Sequence, residues 1–453
     1  MEEERIIDEK FLKDLLDAKE YVRLRQVMED MNEADIADAM NEMEEEDSLR
    51  LFRILPKTMA AEVFADLELE FQQYIIQSLS EREASNIIDN MMSDDAADLL
   101  EEMPANVVTR LLASARPDTR KDINHLLRYP EDSAGSIMTV EYMGLQQHMT
   151  VGDAIKKIRR IGLDSETVNT CYVVDKEKVL VGTVALRYLI MHDEDDVIGD
   201  FMNDNVISIN TLTDQEEAAD MFKKYDFSVM PVVDNENRMV GIITIDDVVD
   251  IIEEEATEDM EKMAAILPSD KSYMRSGVFE TYKKRMPWLL FLMVSATFTG
   301  MIITNYENAL SAYVVLTAYI PMLMDTGGNA GSQVSVSIIR SLSLKEVEFS
   351  DLFAAIWKEI RVAVLCGATL AAANMVKLML LDRVEFTVAL VVCLTLVVVV
   401  IFAKLIGCLL PMITYRIGFD PAVMASPLIT TIVDAVSLTV YFFIATNLLH
   451  LGG

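Results

Sequence analysis

Cysteine and histidine are scarce in this 453-residue sequence, and their pattern excludes several classes of site. The four cysteines lack both metal-ligand spacing and the density of a disulfide scaffold, so we interpret them as small hydrophobic residues in a reducing compartment. They are Cys171, Cys366, Cys393 and Cys408. The four histidines are dispersed, with no nucleophile–base pattern or phosphate loop near them, which argues against an enzyme.

Basic residues are also scarce in the first part of the chain. Residues 1–260 carry 61 acidic against 25 basic residues, a balance of −36, whereas residues 261–453 carry 13 against 14, a balance of +1. Nucleic acid is excluded as a partner, because its binding depends on neutralising phosphates with Lys and Arg. We call residues 1–260 the acidic front. Such a segment attracts cations, and its acidic side chains repel one another in a compact fold unless counter-ions bind between them. Simple solubility is the alternative explanation of this charge.

A secretory signal is the third absence. The N-terminus, MEEERIIDEKFL, is acidic and has no apolar segment of the kind that signal peptides carry. The sequence therefore predicts that the N-terminus and the acidic front stay in the cytoplasm.

Short helical units recur between about Ala34 and Ala113. Each is an apolar patch closed by acids, Pro or Ser, and equivalent positions fall roughly every 12 residues. Such short helices cannot bury an apolar face alone, so the pattern predicts a stacked, all-α domain over residues 1–130. Pro56, Pro104 and Pro117 fit the helix ends.

Residues 137–254 change to short strand patterns that alternate with amphipathic helices. The pattern occurs twice, 59 residues apart: Asp175 corresponds to Asp234, and Gly182 to Gly241. This duplicated β-α-β-β-α unit resembles a tandem CBS module, with CBS 1 at 131–199 and CBS 2 at 200–254. CBS pairs often bind adenine nucleotides.

The residues of this pair leave ATP binding open. Thr170 offers no aromatic ring for stacking on a base, and Tyr188 stands where such pairs often carry a ribose-binding acid. Thr244 and Asp247, in the second copy, keep the usual residue types.

A strongly acidic amphipathic helix is predicted from Val248 to Ile266, and it overlaps the segment at 255–283 that we assign as the connecting (plug) helix. Its carboxylates fall largely at helical spacings that place several of them on one face, where like charges destabilise the helix. A positive group is therefore expected beside that face.

Residues 284–453 form the predicted membrane domain, which begins after Lys283-Lys284-Arg285. We count five spans, at about 287–304, 310–340, 354–381, 386–413 and 424–449. The basic triplet, together with Arg340 and Lys345, places the adjacent span ends inside the cell, so five crossings of the plasma membrane leave the C-terminus outside.

The second span contains the sequence PMLMDTGGNAGSQ, residues 321–333. Glycine pairs weaken a helix interior, and acids and amides are costly in hydrocarbon. Asp325, Asn329 and Gln333 favour a polar path, whereas the small residues alone are explained by close packing of two helices.

The order of these parts resembles the MgtE family of magnesium channels. The resemblance rests on the Pro321 to Gln333 signature, on YRIGFDPAVMASPL at 415–428 and on TTIVDAVSL around Asp434. It implies a homodimer in the lipid bilayer, with a pore lined by spans two and five and an ion site at the acid of the last span. It also implies cytosolic sites where Mg²⁺ holds the N domain, the CBS pair and the connecting helix in a closed state.

Asp434 is an ionisable residue within an apolar span, and such residues mark ion paths. Mg²⁺ keeps its waters tightly, so a pair of carboxylates around a hydrated ion suits it. A structural role, in which Asp434 bonds Thr430 or Ser437, is the alternative. Asn329 offers an oxygen to the same ion or, alternatively, a hydrogen bond between helices.

Lys404 lies deep in span four and needs a partner. Some relatives carry a neutral Asn there and a Gly at the position of Asp325, so we hypothesise a structural ion pair between Asp325 and Lys404.

The resemblance also maps a set of regulatory acids onto the cytosolic part. Facing acid clusters repel one another, and divalent cations bound between them turn this repulsion into a net attraction. High internal Mg²⁺ would then close the pore, and low Mg²⁺ would open it. The set is Asp95, Asp98, Glu216, Asp226, Asp247, Asp250, Glu255, Glu258, Asp259 and Asp420.

Two other functions stay open at this point. A secondary transporter coupled to protons or Na⁺ would use Asp434 as its coupling site. An adenylate sensor anchored by its membrane part would show no ion flux.

Overall fold

A computed structural model describes residues 9–56, 59–269, 273, 276–307, 311, 313–424 and 426–450. The first eight residues of the segment used to argue against a signal peptide, and the C-terminus predicted to lie outside, fall beyond the described residues. The chain forms two compact units, Met1–Ile252 and Glu253–Gly453.

Ten short helices form the first part of the first unit, within its described residues. They are α1 (Glu9–Asp17), α2 (Tyr21–Glu29), α3 (Glu33–Asn41), α4 (Glu45–Phe52), α5 (Ala60–Ala65), α6 (Leu69–Ser78), α7 (Glu81–Ile88), α8 (Ser93–Glu101), α9 (Ala105–Ser114) and α10 (Pro117–Leu126). The all-α prediction for the N domain is confirmed.

A 12-residue period runs through this helical domain. Apart from α5, successive helices begin 12 residues apart, as at Leu69, Glu81, Ser93, Ala105 and Pro117. Helix α6 begins 24 residues after α4, so the period continues across α5. Buried apolar side chains follow the same period: Leu16, Met28, Met40, Phe52, Phe64, Ile76, Ile88 and Leu100. Each helix therefore contributes the same face to one continuous core, as stacked repeats do.

The CBS pair contains two three-stranded sheets. In the first repeat these elements are β1 (Tyr142–Gln146), α11 (Val151–Ile161), β2 (Thr167–Val174), β3 (Leu180–Ala185) and α12 (Leu186–Met191). In the second they are β4 (Ile209–Asn210), α13 (Gln215–Tyr225), β5 (Val229–Val233), β6 (Met239–Thr244) and α14 (Ile245–Met263). In each sheet the first pair of strands is parallel and the second antiparallel.

The strand register repeats with the 59-residue period seen in the sequence. Cys171 pairs with Val184 in the first sheet, and Met230 pairs with Ile243 in the second. The duplicated β-α-β-β-α unit is therefore confirmed at the level of individual strand pairs.

Helix α14 is both the last helix of the second CBS repeat and the acidic helix predicted from the sequence. It continues without a break through residue 255, where we placed the start of the connecting segment, and ends at Met263, three residues before the predicted end. The chain then leaves helical structure until Val278 over its described residues.

Five long helices dominate the second unit over its described residues: α15 (Val278–Asn305), α16 (Ile320–Ser343), α17 (Leu352–Lys377), α18 (Phe386–Arg416) and α19 (Ser426–Leu448). Among the described residues, four helical segments are long and apolar enough to cross a membrane: Val278–Asn305, Phe349–Asp382, Phe386–Arg416 and Pro427–Leu448. Their positions agree with four of the predicted spans.

Helix α16 corresponds to the remaining predicted span. It is not among the four apolar segments, because the polar residues of its signature make it more hydrophilic than they are. It begins at Ile320, after a 3-10 turn at Val314–Tyr319, so the helix starts ten residues later than the predicted span. Its 24 residues are long enough, at about 36 Å, to cross a hydrocarbon core of about 30 Å.

Candidate ion-binding sites

The signature sequence of α16 places small residues on one face of the helix and polar residues on the other. On one face, Gly327 lies against Val399, Val433 and Ser437, and Gly328 lies against Thr430. A Cβ on Gly407 of α18 would overlap the carbonyl oxygen of Gly331. Here the small residues do let helices approach closely, because no side chain separates the backbones.

The other face of α16 carries the polar side chains. Asp325, Asn329 and Gln333 recur at four-residue intervals, and all three are exposed in the single chain. This spacing aligns them along one face of the helix. Close packing therefore explains the glycines but not the acid and the amides.

Asp434 lies on α19 and is half-buried. Its Oδ1 atom is buried and has no hydrogen-bond partner among the described residues, and the same holds for the hydroxyl of Ser437, one turn away. Ser437 therefore does not satisfy this carboxylate oxygen, contrary to one form of the structural alternative. Asp325 is an electrostatic neighbour of Asp434, so two acids act on the same region.

The predicted ion pair between Asp325 and Lys404 is wrong. The Nζ atom of Lys404 lies 3.7 Å from Oε2 of Glu359 on α17, and both side chains are largely buried. Lys404 follows Ala403 on α18, and the carbonyl of Ala403 contacts Gly331. Asp325 precedes Gly331 by six residues, about 9 Å along the helix, and therefore lies at another depth.

A cluster of carboxylates forms in the first unit, where the N-terminus of α8 meets the CBS pair. The Ser93 hydroxyl donates to Oε2 of Glu141 at 2.7 Å, and the backbone N–H of Val140 donates to the Ser93 oxygen at 3.1 Å. These bonds hold the first turn of α8, with Asp94 and Asp95, against the strand that begins the first CBS repeat.

The pKa values of this cluster are raised. Burial, followed by the charges of Asp247 and Glu166, raises the pKa of Asp95 to about 7. Burial, followed by Asp246 and Asp247, raises the pKa of Glu166 to about 7. Burial also raises the pKa of Asp247, although the Thr244 hydroxyl, 2.6 Å from its Oδ2, opposes this shift. The carboxylates therefore lie close together without enough positive charge to stabilise them.

Sequence reasoning found only part of this cluster. It named Asp95 and Asp247 but missed Asp94, whose pKa is raised well above its ordinary value, mainly by burial, and Glu166. Glu166 lies in a loop, and no sequence pattern set it apart from the many other acids. Asp98 lies on α8 but is exposed, and Asp250 acts electrostatically on Asp66 of the N domain.

Glu216 and Asp226 lie apart from this cluster in sequence and from each other in space. They stand at the two ends of α13, and both are exposed. Ten residues of helix separate them by about 15 Å, so one chain does not bring them to a single ion.

A second acidic site lies in the second unit, at the end of α14. The ammonium group of Lys262 is 2.6 Å from Oε1 of Glu258 and 2.8 Å from Oδ2 of Asp420. Burial, followed by the charge of Asp420, raises the pKa of Asp259, and Glu255 adds to this shift. Met263 packs against Ile339 and Ala422. The prediction that Asp420 faces this helix is confirmed, and Lys262 supplies the expected positive group.

No group of three or more His, Cys, Asp or Glu side chains in the described parts of the chain has the arrangement of a closed metal site. The acids are gathered but do not converge on one point.

Comparisons with known proteins identify the family to which this chain belongs. A family model described as a divalent cation transporter matches residues 320–444, which include α16 and Asp434. The MgtE intracellular N domain matches residues 31–132, and a CBS domain matches residues 198–254. The magnesium transporter MgtE of Thermus thermophilus is 36% identical over 435 residues, which cover 94% of this chain and 95% of the relative. This chain belongs to the MgtE family of magnesium transporters.

Other MgtE proteins give the same result. The magnesium transporter MgtE of Bacillus subtilis is 34% identical over 426 residues, 94% of each chain. The crystal structure of the cytosolic domain of the Mg²⁺ channel MgtE in complex with ATP aligns at 38% identity and a TM-score of 0.51. It covers 53% of this chain and 98% of that domain. The soluble part of a magnesium transporter aligns at 29% identity and the same TM-score, over 55% and 98% of the two chains.

Proposed function

We propose that this MgtE protein is a Mg²⁺-selective channel for uptake across the plasma membrane, and that Mg²⁺ bound to its acidic cytosolic interfaces closes it. The observation that carries the pore is Asp434, whose Oδ1 atom is buried without a hydrogen-bond partner among the described residues. A buried carboxylate oxygen without a donor is costly, and a hydrated cation supplies the missing donors through its waters.

The geometry of α16 and α19 supports a homodimeric pore. The glycine face of α16 packs against α19 close to Asp434, while Asp325 and Asn329 are exposed along the other face. Exposed acid and amide side chains on a helix at membrane depth need a polar environment. A second copy of the chain, packed around a water-filled path, provides one, and Asp434 and Asn329 of each copy then serve the same hydrated ion.

The cytosolic cluster supports regulation by Mg²⁺. Asp94, Asp95, Asp247 and Glu166 lie where the N domain meets the CBS pair, and their pKa values are raised because burial and the neighbouring acids disfavour their negative charge. A divalent cation neutralises two carboxylates at once and removes this repulsion. Because such an ion favours only the arrangement that gathers the acids, it shifts the population towards that arrangement, which we take to be the closed one.

The remaining assigned acids serve the same closed state in this proposal. Glu258, Asp259 and Asp420 form the site at the end of α14, with Glu255 one turn away. Four further acids are proposed to bind Mg²⁺ in another conformation of the chain or together with a second copy of it: Asp98, Glu216, Asp226 and Asp250.

Orientation follows from the charge pattern. Lys283, Lys284 and Arg285 lie near the start of α15, and Arg340 lies in the last turn of α16. Basic residues favour the cytoplasmic side, so we propose a cytoplasmic N-terminus, five crossings and an external C-terminus. ATP binding by the CBS pair stays open, because Thr170 and Tyr188 lack the side chains that favour it.

Flux through purified protein in liposomes tests the proposal. Wild type is compared with Asp434→Ala and with the matched control Ser437→Ala, while Mg²⁺ on the cytosolic side is varied. We expect wild-type flux that falls as cytosolic Mg²⁺ rises, no flux for Asp434→Ala, and near-normal flux for Ser437→Ala.

Other outcomes point to the other functions. Flux that requires a proton or Na⁺ gradient would establish a coupled transporter. Unchanged flux in Asp434→Ala would remove this carboxylate from the ion path. The absence of wild-type flux under any gradient would favour a membrane-anchored sensor.

A further inference from the structure

A cavity of about 1140 Å³ lies in the first unit, away from the carboxylate cluster. One wall is α10 with the residues that follow it. The floor is formed by the turn between β2 and β3 and by the equivalent turn between β5 and β6. Tyr142 and Gly144 of β1 and Lys157 of α11 also line it. We call it the turn cavity. Its volume is sufficient for a small organic or inorganic ligand.

The two turns of the floor are held rigidly and in the same conformation. Lys178 and Asn237 occupy equivalent positions, 59 residues apart, with φ values of 66° and 60°. The backbone N–H of Leu180 donates to the Asn237 carbonyl at 3.0 Å, and that of Met239 donates to the Lys178 carbonyl at 2.8 Å. Each turn therefore stabilises the other, and the floor is preformed.

The acids of the floor are engaged within their own turns. Oδ1 of Asp175 accepts backbone N–H groups from Glu177 and Val179, and Oδ1 of Asp234 accepts those of Glu236 and Arg238. Arg238 is paired with Asp234 at 2.7 Å. Arg238 offsets the charge of Asp234, whereas Asp175 keeps its negative charge and is held by backbone N–H groups.

Six further basic side chains line the turn cavity, and the described part of the chain shows no ion pair to any of them. They are Arg120, Lys121, Arg128, Lys157, Lys176 and Lys178. This gathering stands out because residues 1–260 carry a balance of −36. Asp122 and Glu177 are the only other acids of the lining within the described residues, so positive charge is in excess.

Lys157 is the most constrained of these cations. It is half-buried, and its ammonium group donates to the carbonyl oxygen of Gly144. Burial and the nearby charge of Arg160 lower its pKa. An anion beside Lys157 would offset both effects, which is the electrostatic signature of a site that lacks its negative partner.

We infer that the turn cavity binds an oligophosphate, either inorganic or as the phosphate chain of a nucleotide. Several cations from three separate segments converge on one concave surface, which favours a compact ligand with multiple negative charges. A single carboxylate or phosphate would engage only part of this set. The site is distinct from the positions of Thr170, Tyr188, Thr244 and Asp247, none of which lines the cavity.

Calorimetric titration of the full-length protein in detergent tests this inference. Tripolyphosphate and ATP are the probes, with free Mg²⁺ held constant by buffering. The test variant is Arg120→Glu with Lys176→Glu, and the matched control is Lys223→Glu with Lys224→Glu. All four positions are exposed, and the control pair lies on α13, outside the cavity.

We expect tripolyphosphate to bind wild type and the control equally, and the test variant to bind about tenfold or more weakly, because charge-assisted contacts are lost and repulsion is added. Arg120→Gln with Lys176→Gln should give a smaller loss in the same direction. Near-ultraviolet circular dichroism checks that each variant is folded.

The two probes separate the sources of the phosphate. Tighter binding of ATP than of tripolyphosphate, lost in the test variant, would identify a nucleotide. Equal binding would identify the phosphate chain alone. No binding of tripolyphosphate, or binding unchanged by the reversal of Arg120 and Lys176, would overturn the inference. Neither result depends on ion flux or on Asp434.

Discussion

The ammonium group of Lys262 lies between two carboxylates, 2.8 Å from Asp420 and 2.6 Å from Glu258. A side chain of the protein thus offsets the repulsion between these two acids. The end of α14 therefore carries a built-in positive charge that the sequence pattern required but did not identify.

Replacement of Lys262 by Met should make closure more dependent on Mg²⁺. Without the ammonium group, Glu258, Asp259 and Asp420 repel one another, so flux at low cytosolic Mg²⁺ should rise. Closure should then respond more steeply as Mg²⁺ occupies the vacated position. Liposome flux against cytosolic Mg²⁺ measures both effects, and Lys262→Arg is the control. Identical curves for Lys262→Met and wild type would contradict this role.

The carboxylate cluster predicts a dependence of stability on pH. The pKa values of Asp95 and Glu166, about 7, lie above their ordinary values, so the folded protein binds protons more tightly than the unfolded chain. In the absence of Mg²⁺, stability should therefore be lowest above pH 7 and should rise as the pH falls from 8 towards 5. Melting temperatures across this range measure the effect.

Asp95→Asn should remove part of this dependence. At pH 8 without Mg²⁺ we expect the variant to be more stable than wild type, by about 2 kcal/mol, since a buried charge is lost. At pH 5 the difference should shrink, and saturating Mg²⁺ should reverse it. Asp35→Asn, at an exposed position of α3, is the control. A constant difference at all pH values would argue against the cluster.

The contact between Gly407 and Gly331 predicts a strict requirement for glycine. A methyl group at residue 407 would overlap the Gly331 carbonyl, so α16 and α18 would have to separate. Gly407→Ala should therefore lower thermal stability in detergent, by about 1–3 kcal/mol. Gly300→Ala is the matched control, because its added Cβ meets nothing within 4 Å. Equal stability of the two variants would show that the close contact is unimportant.

The pairing of Lys404 is tested by charge removal on each candidate partner. Lys404→Met leaves Glu359 as an unpaired, largely buried charge and should destabilise the protein by about 3 kcal/mol. Adding Glu359→Gln should recover most of the stability, whereas adding Asp325→Asn should not. If Asp325→Asn, and not Glu359→Gln, recovered the stability of the Lys404→Met variant, Asp325 would be the partner of Lys404.

Asp325 should influence ion permeation and not folding. It is exposed on the same face of α16 as Asn329 and acts electrostatically on Asp434. Asp325→Asn should therefore leave the melting temperature unchanged but weaken the apparent Mg²⁺ affinity of transport several-fold. Gln333 lies two turns away on the same face of α16. The variant Gln333→Ala tests whether the loss of any polar side chain on this face weakens the apparent Mg²⁺ affinity of transport. A destabilised protein with normal flux would favour a structural role.

Local periodicity made much of the fold predictable. The 12-residue period places one buried apolar residue in each repeat from Leu16 to Leu100, and the 59-residue period specifies the strand pairs of the second sheet from those of the first. Both follow from the sequence because a repeated unit buries the same positions in each copy. The sequence also singled out Asp434 as an acid in an apolar helix, and its role in the ion path stays a prediction.

Pairings between distant segments were decided by the tertiary structure alone. Glu359, not Asp325, reaches Lys404, because the Gly331–Gly407 contact fixes the depth at which α16 and α18 meet. Asp94 joins Asp247 because α8 docks beside β1, whereas Glu166 joins it because the two CBS repeats pack together. Lys262 reaches Asp420 because α14 ends near Ala422. A sequence specifies which residues carry charge, but the packing of elements far apart in the chain determines which of those charges meet.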